Sequence, residues 1–165
     1  MGHLTALIFD DQFKGEEARA ALHRMTGEQL LKLDDTVLIR KDLEGQVEIS
    51  QEDKVISKGQ KRGHVAGLLA AAITGTMPLI LAGTVAGRLM GRLMDHGITH
   101  NFVKDVKKEV KPGTSALILL GEADPRSRAE IIDRIKGFEP KILESDMPAD
   151  LQAEIEKETR GQSAA

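Results

Sequence analysis

Residues 63–87 form a run of 25 positions without Asp, Glu, Lys or Arg, GHVAGLLAAAITGTMPLILAGTVAG, and this run limits what the chain can fold into more than any other feature. It is long enough for a membrane-spanning helix, and its position in mid-chain argues against a cleaved export signal. Pro78 lies near its middle, where the missing amide and the ring clash disfavour one straight helix. The run therefore predicts two helices, residues 58–76 and 79–94, joined at Met77 and Pro78. Each has an apolar part of about 15 residues, or roughly 22 Å, against a hydrocarbon core of roughly 30 Å. A hairpin that dips into lipid or packs on protein fits these lengths better than two complete spans.

Small residues recur within the hairpin at every fourth position: Gly63, Gly67, Ala71 and Gly75 before the proline, Gly83, Gly87 and Gly91 after it. Each interior helical glycine costs about 1 kcal/mol relative to alanine, so the pattern predicts close backbone packing that offsets the loss. The stripes can meet within one chain, between subunits or in lipid. Lys54, Lys58, Lys61 and Arg62 precede the run, and Arg88 and Arg92 follow it, which keeps both ends on the cytoplasmic side and offers contacts to anionic lipid at Lys61, Arg62, Arg88 and Arg92. The chain has neither Trp nor Tyr, the rings enriched at bilayer interfaces.

The flanks read as an α/β framework. LTALIFD (residues 4–10) is a buried strand, and residues 15–31 carry Ala18, Ala21, Leu22 and Met25 at helical spacing. TVLIRK and QVEIS around Asp42-Leu43-Glu44-Gly45 predict a β-hairpin. A short helix over residues 101–110 follows the apolar pair, then a buried strand over 114–120. Asp124 and Pro125 open a helix to residue 136 as N-cap and first position. A strand over 141–144 and a charged helix over 148–160 close the chain. The order predicts an α+β fold, a ferredoxin-like sandwich with helices on one face, interrupted by the glycine-rich apolar helical hairpin. Residues 1–57 form the first α/β half, 58–94 the glycine-zipper insertion, and 95–165 the second half of the same domain.

Three segments carry a family resemblance: Ile8-Phe9-Asp10-Asp11-Gln12-Phe13-Lys14-Gly15-Glu16-Glu17; Asp95-His96-Gly97-Ile98 continuing to Phe102-Val103-Lys104; and Lys111-Pro112-Gly113-Thr114-Ser115-Ala116-Leu117. With them the chain resembles, over almost its whole length, the bacterial domain-of-unknown-function family 1269, whose members are labelled predicted membrane proteins. The resemblance implies a glycine-rich apolar hairpin with a central Met-Pro step between two α/β halves, as at Met77-Pro78. It implies no activity, catalytic residue or cofactor. Relatives have small apolar residues where this chain has Arg88 and Arg92.

The 165 residues suit one domain, and 41% hydrophobic with 30% charged residues is a globular balance. Cysteine is absent, which excludes disulfides, thiolate metal sites and cysteine nucleophiles; a net charge of −3 argues against a nucleic-acid partner. No phosphate-binding loop or dinucleotide-binding glycine turn is present. His96 and His100 have a ligand-like spacing, but Gly97 is expected to end the helix between them, so no metal is expected. Asp10 and Asp11 follow the first strand, where carboxylates meet ligands in some α/β folds; their nearer reading is a turn favouring the start of the next helix. Lys104, Lys107, Lys108 and Lys111, mixed with Asp105 and Glu109, read as a solvated helix face.

The sequence thus predicts a non-enzymatic homo-oligomer that self-associates through the hairpin, in the cytoplasm or at the cytoplasmic face of the inner membrane, with the membrane surface as a further partner. No cofactor or nucleic acid is expected. The alternatives are a membrane-inserted protein and a ferredoxin-like small-ligand binder using Asp10 and Asp11.

Overall fold

A computed structural model describes residues 3–51, 65–75, 97–146 and 153. Five strands, β1 (His3–Phe9), β2 (Leu31–Lys41), β3 (Val47–Gln51), β4 (Ser115–Ala123) and β5 (Lys141–Asp146), form one antiparallel sheet in the order β3-β2-β4-β1-β5. The helices among the described residues are α1 (Lys14–Gly27), α2 (Val65–Thr74), α3 (Gly97–Glu109) and α4 (Pro125–Ile135), the last running into a 3-10 turn, Lys136–Phe138. The fold is α+β.

β4 pairs antiparallel with both β1 and β2, and β1 pairs antiparallel with β5. Hence β1 and β2 run parallel around β4, linked through α1, while β4 and β5 run parallel around β1, linked through α4. Two β-α-β units interlock, each holding a strand of the other at its centre, and the β2–β3 hairpin extends one edge.

The central strands show why this sheet is covered on both sides. In β1, Leu4, Ala6 and Ile8 point to one face and Leu7 and Phe9 to the other; in β4, Ala116, Ile118 and Leu120 oppose Leu117 and Leu119. Continuous apolar runs of this kind belong to strands buried on both faces. α1 and α4 cover one face through Ala18, Leu22, Met25 and Ile135. α2 and α3 cover the other through Leu69, Ala70, Ile73, Phe102, Val103 and Val106. The expectation of helices on one face is therefore corrected to a layer on each.

Other boundaries also move. α1 stops at Gly27, and Leu31, expected at the end of the helix, begins β2. Gln29 adopts φ 62° in the intervening turn. Gly97, expected to end a helix, is itself helical within α3. Asp124 caps α4 as expected, its carboxylate accepting from the Arg126 amide at 2.8 Å.

Two glycines permit close approaches. A Cβ at Gly121 would lie 2.3 Å from the Lys32 carbonyl oxygen, beside the register shift between Leu33 and Asp35. At Gly15 it would lie 2.6 Å from Leu38 Cδ1 and 2.9 Å from Ser115 Oγ, so α1 rests directly on β2 and β4. The buried Ser115 hydroxyl donates to the Asp11 carbonyl at 2.6 Å and accepts from the Gly15 amide at 3.1 Å.

Candidate functional site

α2 is the described part of the apolar run of residues 63–87. Leu69, Ala70 and Ile73 are buried against the sheet and α3. At 3.6 residues per turn, Ala70 and Ile73 fall about 100° and 40° around the axis from Leu69, whereas Gly67 and Ala71 fall about 160° and 200° from it. The bulky residues Leu69, Ala70 and Ile73 thus face the sheet, with Ala71 on the other side of the helix. Ala71 is half-buried. Gly75 lies just past the last helical residue at φ +69° with open space where a Cβ would stand, which makes it the left-handed terminator of α2. Gly63, Gly83, Gly87 and Gly91, the turn residues Met77 and Pro78, and the basic residues Lys61, Arg62, Arg88 and Arg92 lie outside the described residues. Among the described residues no helix is long and apolar enough to cross a membrane.

The remaining candidates separate in space. Asp11 Oδ1 accepts from the Phe13 and Lys14 amides at 2.7 and 2.9 Å, so this carboxylate is engaged at the start of α1; Asp10 is exposed. His100 is exposed in the first turn of α3, and His96 lies outside the described residues. Among the described residues no three His, Asp or Glu side chains gather as metal ligands. Lys104, Lys107, Lys108 and Lys111 are exposed on and just beyond α3. Glu109 of the same helix pairs with Lys141 of β5 at 2.5 Å, and this contact holds its carboxyl below the usual carboxylate range.

A feature the sequence reading missed is a cleft of about 720 Å³ between α4 and the β1–β5 side of the sheet. Its floor is Thr5, Leu7, Leu119 and Gly121. α4 overhangs it with Ile131, Ile132 and Ile135, and Ile142 of β5 stands at the edge. Two contacts hold α4 in this position: Arg134 bonds Glu28 beyond the end of α1 at 2.6 Å, and Arg128 bonds both carboxylate oxygens of Glu144 at 2.9 and 2.8 Å. Arg134 also bonds Glu130, and the two carboxylates raise its pKa further above its ordinary value. His3 Nδ1 lies 2.8 Å from Asp146 Oδ1 at the outer rim. The alternation of Ile142, Glu144 and Asp146 along β5 places all three on the cleft side, and that spacing was the available signal.

The family described as Protein of unknown function (DUF1269) matches residues 57–160, well over half of the chain. The chain belongs to this family. The DUF1269 match includes α2, α3, β4, α4 and β5 but not β1, α1, β2 or β3, so the segment around Asp10 and Asp11 lies outside it. The expected resemblance over nearly the whole length is thereby shortened. No curated protein matches the chain, and no solved structure does.

Proposed function

We propose that this DUF1269 chain is a non-enzymatic interaction protein that self-associates through the glycine-striped hairpin of residues 58–94, at the cytoplasmic face of the membrane. The observation that supports this reading is the orientation of α2. Its Leu69, Ala70 and Ile73 are consumed in anchoring the helix to the sheet, and by helical geometry the half-buried Ala71 lies on the other side of the axis from Leu69. A stripe of that kind lets a second backbone come close, and dispersion across the contact then offsets the glycine cost. The interlocked β-α-β units favour the finer description of the framework as a ferredoxin-like sandwich, with the hairpin as an addition between β3 and α3. Lys61, Arg62, Arg88 and Arg92 supply positive charge around the hairpin for an anionic lipid surface.

The test is mass. Light-scattering chromatography of the full chain is expected to show an oligomer that dissociates when Gly83, Gly87 and Gly91 are replaced by leucine, and also in the double variant Gly67→Leu, Ala71→Leu. The latter pair lies about 160° and 200° around the helix from Leu69, so the sheet contacts of α2 are expected to stay in place and circular dichroism to match the parent. A monomeric parent, or an unchanged mass in both folded variants, removes the proposal.

A further inference from the structure

We propose that one flank of α3, carrying Lys104, Lys107 and Lys108 with Lys111 just beyond the helix, is a docking surface for the anionic headgroups of a phospholipid bilayer. Docking there rests on the membrane-face part of the proposed function and is independent of self-association. It adds a contact on the folded framework to the basic residues that bracket the apolar run.

In sequence these lysines alternate with Asp105 and Glu109, and the helix sorts the two signs. Taking the fully buried Val106 as the reference, Phe102 and Val103 fall about 40° to one side and 60° to the other. Beyond Val103 come Lys107, Lys104 and Lys108, at about 100°, 160° and 200° from Val106. Glu109 and Asp105 fall about 60° and 100° away on the Phe102 side. Glu109 pairs with Lys141, so the acidic flank faces β5. α3 packs on β5 and on α2, which places the lysine flank on the side of α2 and toward solvent.

All four lysines are exposed, and among the described residues no ion pair engages any of them. By contrast Arg40, Arg128, Arg134, Lys136 and Lys141 each pair with a carboxylate. The positive flank therefore stands uncompensated on a chain of net charge −3. A field of that kind attracts an extended anionic surface rather than a single counter-ion. Two observations favour lipid over a nucleic acid. The flank shares its layer with α2, part of the uncharged run of residues 63–87, and Phe102, the aromatic residue of α3, is buried, so the helix offers no ring for a base to stack on.

The experiment is co-sedimentation of the full chain with preformed vesicles, either phosphatidylcholine alone or an equal mixture of phosphatidylcholine and phosphatidylglycerol. The parent is expected to bind the mixed vesicles at least about tenfold more tightly than the neutral ones. The triple variant Lys104→Gln, Lys107→Gln, Lys108→Gln is expected to lose at least about tenfold in that affinity, and the corresponding triple Lys→Arg variant to keep it. Arg24→Gln, Arg126→Gln, Lys136→Gln removes the same charge from exposed positions in the other helical layer and is expected to bind within about twofold of the parent. Circular dichroism and light-scattering mass should match the parent throughout. A glutamine triple that binds the mixed vesicles as the parent does removes the role of α3 while leaving the membrane reading in place. A parent that ignores the mixed vesicles removes both. Equal loss in the control triple, or lysine-dependent binding to polyuridylate without binding to vesicles, also overturns the proposal.

Discussion

At the residue scale, the two tight glycines differ in what a methyl group would meet. At Gly121 the obstacle is backbone, the Lys32 carbonyl, and the paired strands must separate to admit a Cβ. At Gly15 the nearest atoms are the end of Leu38 and the Ser115 side chain, which can shift in part. Gly121→Ala is therefore expected to cost about 2–4 kcal/mol and Gly15→Ala about 1–2 kcal/mol, in that order, by chemical denaturation. Glu109 gives a pH signature. Its folded pKa lies below the ordinary value of 4.5, so its pairing with Lys141 contributes stability above that value and loses it as pH falls through the folded pKa. In Lys141→Met the Glu109 carboxyl should titrate closer to the ordinary value by NMR; an unmoved midpoint would show that Lys141 is not the cause. Residue-level signals were partly legible: Asp124 before Pro125 specified its cap, whereas Gln29 in the left-handed region has no comparable signature in Glu28-Gln29-Leu30.

Elements were legible where one period dominates. The β2–β3 hairpin and the apolar runs of β1 and β4 follow from residue pattern alone, whereas the second covering layer was not read from them and helices were expected on one face only. The α1–β2 junction was not legible, because Leu30, Leu31 and Leu33 fit a helical or an extended reading and only the sheet pairing of Leu31 with Ala123 decides between them. In α2 the two stripes make opposite predictions. Leu69→Ala removes a fully buried side chain from the core and should destabilise the fold by about 2–4 kcal/mol. Ala71→Leu, on the other side of the helix, should leave the unfolding midpoint of the dissociated chain within about 0.5 kcal/mol of the parent. Equal losses in thermal or denaturant unfolding would contradict the assigned orientation.

Across the whole molecule, cohesion is concentrated in β1 and β4, which are flanked by strands on both edges and by apolar clusters on both faces. Native-state hydrogen exchange should find their amides slowest, with β3 and β5 opening at lower free energy. Rapid exchange in the centre of β4 would contradict this order. The cleft belongs to this scale too. The alternation along β5 marks only its edge, since the cleft itself arises from where α4 is held relative to β5 by Arg128, Arg134 and their partners.

The pairing of β1 with β4 joins residues more than a hundred positions apart. During synthesis the stretch containing α2 leaves the ribosome before β4 exists, when the α3 and β4 residues that share a core with Leu69 and Ile73 have yet to be made. For that interval the apolar side of α2 has only part of its final cover, so the order of translation itself constrains how this segment finds its place in the core.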